Sequence, residues 1–306
     1  MTQGFLKRPR PGVLALIGDD AAEFLQGQVT NDVERLQPGQ GCYAALLTPK
    51  GKVRADMRIL RTADNLLVVC DQALLPVIRH TIDTYRIGYF FKTEDMTEYW
   101  SLLSLVSDDA DGMLHQVGIE GDDPVGESEN DNAVVDINGT LAIRTPVGID
   151  LLGADAAIEQ NESLLAAAHE RIDETAAEVA RVEAGIPAFG RDFDENNIPQ
   201  EANLNERAVS FEKGCYVGQE TVARLHYKGS PNRSLRLLRA EQPLTSGAVV
   251  TAPDGKELGT VGTAVVSSQL GPVALAVLRR EAEEGATVDA GGIAATVADP
   301  PQLPQS

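Results

Sequence analysis

The chain has 306 residues, of which 43% are hydrophobic, so it can bury a core large enough for two or three domains. Its 46 acidic residues outnumber its 26 lysines and arginines, which gives a net charge of −20. A surface this acidic repels phosphate backbones, so we expect no direct binding of nucleic acid. No apolar run spans a membrane and the N-terminal stretch lacks a signal-peptide cleavage pattern, so we expect no membrane partner and a cytoplasmic location.

The cysteines and histidines are too scattered for a disulfide framework or a local metal site. The three cysteines stand at positions 42, 70 and 215, with no C-x-x-C pair among them. The four histidines show no ligand spacing, so we predict no metal site. Unpaired cysteines are typical of a reducing compartment, which agrees with the expected cytoplasmic location.

The N-terminal part of the chain mixes helix and strand signals. Asp19 or Asp20 stands before an apolar pattern and predicts a helix start. Two apolar runs around the turn "PKGK" predict a β-hairpin, and "NLLVVC" predicts a buried strand.

Both kinds of element continue down the chain. An amphipathic helix is predicted from Asp71, with Pro76 in its first turn, where proline is tolerated. A strand "WSLLSLV" follows, and then an acidic, glycine-rich stretch at 118–132 that predicts a solvated loop. The pair Asn138-Gly139 predicts a hairpin turn between strands.

Two helices and an irregular loop precede the C-terminal part. The helices are predicted within 154–172 and 173–187, the second ending at Gly185, and the polar loop 188–204 follows. A further helix start is predicted directly after Cys215, and 225–234 is interpreted as a linker.

From about residue 234 the chain changes to short strands separated by turns, which predicts a small all-β domain, either a sandwich or a barrel. We therefore predict an α+β body over 1–228, a β domain over 234–300 and a disordered tail over 301–306.

Cys215 is the first candidate for chemistry. It follows Lys213-Gly214 and precedes the predicted helix start, so nearby backbone N–H groups and the lysine charge would favour the thiolate. The alternative is a packed cysteine, a common fate for a free thiol. Cys70 is predicted to lie in the core, and Cys42 is interpreted as preceding a strand, with no role.

Asp56 lies on a predicted strand whose apolar residues occupy the other face. It shares its face with Arg54 and Arg58, so it could be a solvated carboxylate paired with a neighbouring arginine, or it could line a cavity.

Glu183 lies in the last turn of a predicted helix, where a carboxylate is disfavoured by the helix dipole. Either Arg181 pairs with it, or a ligand presents adjacent ring N–H and amino groups to it. Asn31 and Asp32 form a polar cluster after the first helix, and no phosphate-binding loop, zinc-protease motif, nucleophile elbow or dinucleotide fingerprint occurs.

Five stretches in a fixed order resemble one family. They are "FLQGQVTNDV", "AALLTPKGKVRAD", "RVEAGIP", "NIPQEANL" and "KGCYVGQETVAR". Together they resemble the YgfZ-type folate-binding proteins, which belong to the superfamily of the glycine-cleavage T-protein, an aminomethyltransferase. The last stretch carries the motif that is specific to the YgfZ branch, made of Lys213, Gly214, Cys215, Tyr216, Gly218, Gln219 and Glu220.

The resemblance implies an α+β fold of three lobes around a central opening: two α+β lobes and a C-terminal β-barrel. It implies tetrahydrofolate as the cofactor, with Glu183 at the position that contacts the pterin. Asp56 matches the second aspartate of a folate-linked pair, whereas the first is Ala55 here. We include Asn31 among the residues predicted to contact folate.

The resemblance also implies a function. YgfZ-type proteins are associated with maintaining or assembling iron–sulfur clusters in other enzymes, including those that thiolate tRNA, and Cys215 is the motif cysteine linked to that activity. One thiolate cannot hold a cluster, but it could bond transiently to a client's cluster or form a mixed disulfide. We therefore expect an accessory factor whose partners are iron–sulfur client enzymes.

Two alternatives stay open at this point. In the first, the protein is an aminomethyltransferase, with Asp56 acting in catalysis at the folate nitrogens; the loss of the first acid at Ala55 argues against it. In the second, the chain is a folate-binding module without chemistry, in which Cys215 is only packed.

Overall fold

A computed structural model of the chain describes residues 3–119 and 131–301. Most of the predicted acidic loop and all of the predicted tail beyond residue 301 lie outside the described residues.

Ten strands in the N-terminal part form two antiparallel five-stranded sheets. In chain order the strands are β1 Gly4–Lys7, β2 Gly12–Ile17, β3 Gln40–Leu47, β4 Val53–Arg61, β5 Leu66–Cys70, β6 Lys92–Asp95, β7 Trp100–Val106, β8 Val134–Ile137, β9 Thr140–Thr145 and β10 Gly148–Ala154. One sheet has the order β3-β4-β5-β2-β6 and the other β1-β7-β10-β9-β8.

Seven α-helices occur among the described residues. They are α1 Ala21–Gln28, α2 Leu75–Tyr85, α3 Ala110–Gln116, α4 Asp155–Ala166, α5 Glu174–Glu183, α6 Asn205–Ala208 and α7 Gln219–Lys228. Short 3₁₀ helices lie at Gln72–Leu74 and Pro199–Ala202.

The C-terminal strands close into a six-stranded barrel with the order β11-β14-β13-β12-β15-β16. Their bounds are β11 Arg233–Ala240, β12 Val249–Thr251, β13 Glu257–Ser267, β14 Gly271–Arg279, β15 Thr287–Ala290 and β16 Ala294–Ala298. Closure leaves no free sheet edge, which a sandwich would have. The α+β class with a C-terminal barrel is therefore confirmed.

The two sheets pack face to face. Val13 and Leu67 from the first sheet contact Ile143 and Leu152 from the second in one buried apolar cluster. The outer face of the first sheet is covered by α1 and α2 through a separate cluster that includes Phe24 and Ile78. Tyr43 on β3 and Asp56 on β4 lie on the face of the first sheet that α1 and α2 do not cover, and they belong to the candidate site.

Most local predictions are confirmed. The "PKGK" hairpin is formed by β3 and β4, and the Asn138-Gly139 turn joins β8 to β9, with both turn residues at positive φ. Asp20 does precede α1, but its carboxylate accepts a hydrogen bond from Phe90 N rather than from the helix.

Two local interpretations are wrong. Cys42 lies inside β3 rather than before it. The predicted linker at 225–234 begins too early, because α7 continues to Lys228. The domain boundary at residue 228 stays a prediction.

Candidate functional site

Cys215 lies in the thiol loop, the name used below for residues 210–218 between α6 and α7. Its side chain is exposed, whereas Cys42 and Cys70 are buried. Burial raises the pKa of each of those two thiols to about 12. The predicted helix start directly after Cys215 is wrong, because α7 begins only at Gln219. The thiol therefore lies four residues before the first residue of the helix rather than next to it.

Lys213 points into the protein. Its Nζ donates hydrogen bonds to the backbone carbonyls of Gln26, Val29 and Asn31 at 2.7, 2.8 and 2.7 Å. The residue is only 7% exposed, and burial lowers the pKa of its ammonium to about 8. The charge that we expected to favour the Cys215 thiolate is thus held by carbonyls in the interior.

The end of α1 explains these partners. The last carbonyls of a helix have no intrahelical donor and need another. Lys213 supplies one for Gln26, and the amide of Val217 donates to the carbonyl of Gly27 at 3.3 Å. The amide of Ser210 donates to the carbonyl of Thr30 at 3.0 Å. The motif around α1 and the motif around Cys215 are therefore one structural unit.

Two motif glycines bring the β3–β4 turn against the start of α7. Gly218 has φ +85°, and a Cβ there would lie 2.5 Å from the carbonyl oxygen of Thr48. A Cβ on Gly51 would lie 2.8 Å from the side chain of Thr221. Neither position has room for a side chain, which explains the glycines of "PKGK" and "YVGQE".

The other motif residues have unequal exposure. Tyr216 is buried, with its ring centroid 5.2 Å from Lys213 Nζ, and burial raises its pKa to about 12. Gly214 and Glu220 are exposed, and Gln219 is half-buried in the first turn of α7. The exposed surface of the motif therefore centres on the thiol.

Asp56 is half-buried on β4 and accepts a hydrogen bond from the hydroxyl of Tyr43 on β3. Burial raises the pKa of this carboxyl above its usual range, and the hydrogen bond from Tyr43 opposes the shift. Of the two alternatives for Asp56, an ion pair with a neighbouring arginine is not formed. Arg58 pairs with Asp150 at 2.7 Å, and Arg54 donates to Thr81 at 3.4 Å.

A cavity of about 160 Å³ opens beside Tyr43. Its charged lining is mixed and consists of Arg8, Arg58, Arg181, Arg207, Asp131 and Asp150. The guanidinium of Arg207 lies over the Tyr43 ring, 5.1 Å from its centroid, and burial lowers its pKa. Asp56 thus reaches the cavity wall through Tyr43, which favours the cavity alternative for its strand face.

Glu183 is the last residue of α5 and is half-buried against the barrel. Its Oε1 accepts a hydrogen bond from the hydroxyl of Ser267, at the end of β13. Arg181 is not its partner, because that guanidinium donates to Glu178, Asp192 and Thr263. A carboxylate at this helix end is therefore not explained by the neighbouring arginine.

Asn31 connects the two parts of the site. Its Nδ2 donates to the carbonyls of Tyr43 and Arg207 at 2.9 and 3.1 Å, and its own carbonyl accepts from Lys213. Its amide donors are therefore engaged by the chain itself.

Within residues 3–119 and 131–301, no hydrogen bond or ion pair joins Cys215 to Asp56 or Glu183. The same residues contain no group of three histidine, cysteine or acidic side chains that could hold a metal ion. No helix in the described ranges is long and apolar enough to cross a membrane.

Tyr43 and Arg207 were missed in the sequence, whereas Arg58 was placed on the face of Asp56. The pairing of β3 with β4 sets Tyr43 opposite Arg58, so strand alternation could have found Tyr43 as well. Arg207 comes from α6, and no local pattern marks it.

Comparison with known proteins places these features in context. Residues 12–123 match the family model of the GCVT N-terminal domain, and residues 233–305 match that of the CAF17 C-terminal beta-barrel domain. The chain is 31% identical over 242 residues to the tRNA-modifying protein YgfZ of Vibrio vulnificus strain YJ016, covering 76% of this chain and 69% of the relative.

A second relative and a solved structure agree. The chain is 29% identical over 259 residues to the tRNA-modifying protein YgfZ of Colwellia psychrerythraea, covering 81% of this chain and 74% of the relative. The crystal structure of glycine cleavage system aminomethyltransferase T from Bartonella henselae matches with a TM-score of 0.87 at 22% identity, over 99% of this chain and 86% of that one. The structural match shows a shared fold.

Proposed function

Because this chain belongs to the family of the tRNA-modifying proteins YgfZ, we propose that it is a tetrahydrofolate-binding accessory protein for iron–sulfur enzymes. In this proposal it supports the assembly or repair of clusters in client enzymes, including enzymes that thiolate tRNA, and Cys215 is the functional thiol.

The observation that carries the proposal is the contrast among the three cysteines. Cys215 is exposed on a loop fastened to α1, while Cys42 and Cys70 are buried. Four cysteines are the usual ligand set of a cluster, so a single thiolate acts together with ligands supplied by the client. An exposed thiol is suited to reach a cluster held by another protein.

The net charge of −20 supports a protein client over RNA itself, because an acidic surface repels the phosphate backbone. The link to tRNA then runs through the client enzyme.

The residues present suit folate in chemical type. The Glu183 carboxylate can accept two adjacent N–H donors of a pterin. The guanidiniums of Arg58 and Arg207 at the cavity suit the carboxylates of a folate tail. The cavity of about 160 Å³ is smaller than the roughly 300–1,000 Å³ of sites for drug-sized ligands, so it takes only part of a folate. Bound folate would supply a one-carbon carrier, while these residues bind and orient it.

The test is complementation in cells that lack their own YgfZ-type protein, with cluster-dependent tRNA thiolation as the readout. The parent chain is expected to restore thiolation and Cys215→Ser is expected to fail. Cys70→Ala is the matched control, because it removes a buried thiol and keeps the exposed one.

Equal rescue by the parent and Cys215→Ser would overturn the role of the thiol. Rescue by neither, with both proteins folded, would overturn the accessory role and leave aminomethyl transfer as the function to assay.

A further inference from the structure

Lys213 is a buried cation with an unusual set of partners. Its Nζ donates three hydrogen bonds to the backbone carbonyls of Gln26, Val29 and Asn31, and none of these acceptors is a carboxylate. These carbonyls lie at and just beyond the end of α1, where the helix dipole attracts a cation. The partners are therefore fixed by the main chain rather than by mobile side chains.

The ammonium gives three backbone carbonyls a donor, and this contact removes a charge from water. Burial lowers the pKa of the ammonium, and its interactions with Asp32, Cys42 and Glu34 oppose this shift only in part. Buried ionic groups can often be replaced by apolar ones without loss of stability, although some of them specify a unique conformation. Three carbonyls at fixed positions define one place for the lysine head group and hence for the backbone that carries it.

The rest of the thiol loop is fastened on both sides of the lysine. Ser210 and Val217 donate their amides to the carbonyls of Thr30 and Gly27. The ring of Phe211 stacks on that of His226 in α7, with centroids 3.6 Å apart. Gly214 and Cys215, the two residues directly after the lysine, are exposed. The direction of the thiol therefore depends on where Lys213 is held.

We propose that Lys213 is the positioning residue of Cys215: its three carbonyl bonds hold the thiol loop in one arrangement with the thiol turned outward. This role deepens the proposed function of Cys215 and rests on it for its biological meaning. Lys213 itself does not touch the client's cluster.

The test uses the full chain labelled at its exposed cysteine. A trifluoromethyl thiol reagent such as bromotrifluoroacetone reacts with Cys215 in the folded protein, because the other two thiols are buried. The parent is expected to give one narrow ¹⁹F resonance. Lys213→Met is expected to give several lines or a broad one while still melting cooperatively. Lys7→Met, which removes an exposed lysine at the end of β1, is expected to match the parent.

A single narrow line in Lys213→Met at the parent's position would overturn the proposal. Lys213→Gln is a second variant, which retains two N–H donors and replaces Lys213→Met in the test if the methionine variant does not fold. If neither variant melts cooperatively, the lysine supports the whole fold and the positioning role is wrong.

Complementation separates this inference from the proposed function. Lys213→Met is expected to lose rescue to the level of Cys215→Ser, and the double variant is expected to be no worse than either single one. Full rescue by Cys215→Ser would defeat the proposed function, while the fluorine spectrum would still decide whether Lys213 positions the loop.

Discussion

The thiol loop and the cavity beside Tyr43 hold their reactive groups in opposite ways. Cys215 is exposed at the surface, and the charge nearest to it in sequence, Lys213, is buried and engaged. Asp56 is half-buried and accepts a hydrogen bond from Tyr43, whose side chain lines the cavity. A half-buried acid beside a cavity suits a small molecule, whereas an exposed thiol suits a macromolecule. The difference supports two kinds of partner for one chain.

The two regions nevertheless share one segment. Asn31 donates its side-chain amide to the carbonyls of Tyr43 and Arg207, and its carbonyl accepts from Lys213. A change in the position of this residue would move both regions together.

Replacing Arg207 tests whether the cavity is also a structural centre. Arg207→Met removes a buried guanidinium that attracts the buried Asp131 carboxylate, 4.0 Å away. Breaking a buried charge pair costs about 3–5 kcal/mol, so we expect that loss in the free energy of unfolding, measured with denaturant. Arg79→Met, in a more exposed pair with Asp95, should cost no more than about 1 kcal/mol. Equal losses in both variants would contradict the buried role of Arg207.

Replacing Glu183 tests the small-molecule side of the comparison. Glu183→Ala removes a charge-assisted acceptor, worth about 1.5–3 kcal/mol, so tetrahydrofolate should bind roughly 10- to 150-fold more weakly in calorimetric titration. Glu159→Ala, which removes an exposed carboxylate from α4, is the control and should bind as the parent does. An unchanged isotherm for Glu183→Ala would remove Glu183 from the proposed folate site.

The pH dependence of stability tests the burial of Lys213. Burial lowers the pKa of its ammonium to about 8 in the folded chain, from an ordinary value of 10.5. Between these values the unfolded chain binds more protons, so this group makes stability rise with pH, by at most about 1.4 kcal/mol per pH unit. Below about pH 8 both states are protonated and the contribution is constant.

The measurement for Lys213 is the difference between the parent and Lys213→Met in free energy of unfolding from pH 7 to pH 10. Taking the difference cancels the other groups that titrate in this range. We expect the free energy of unfolding of the parent to rise relative to that of the variant as pH rises. A difference that does not change with pH would mean that burial does not lower the pKa of the Lys213 ammonium.

Sequence patterns predicted the local elements better than the site. The alternation of β4 correctly set Asp56 apart from Ala55 and Met57, because one face of that strand is buried against helices. The contacts of Lys213 could not be predicted, because its acceptors are backbone carbonyls, which every residue carries.

Long-range contacts explain the remaining gaps. Arg207 reaches Tyr43 only because α6 folds against β3, and no spacing along the chain marks that approach. Ser267 meets Glu183 only because the barrel packs on α5. In both cases the residue type was visible, but its partner was set by the packing of distant elements.

The smallest expected effect concerns the stability of the cysteine variants, and it gives the sharpest contrast between exposed and buried thiols. Cys215→Ser should change the free energy of unfolding by less than about 0.5 kcal/mol, because surface substitutions rarely do more. Cys42→Ser buries a hydroxyl in an apolar cluster and should cost about 1–3 kcal/mol. Denaturant titration of both variants checks this contrast. If Cys215→Ser loses as much stability as Cys42→Ser, the thiol contributes to packing, and its loss in complementation would report misfolding rather than missing chemistry.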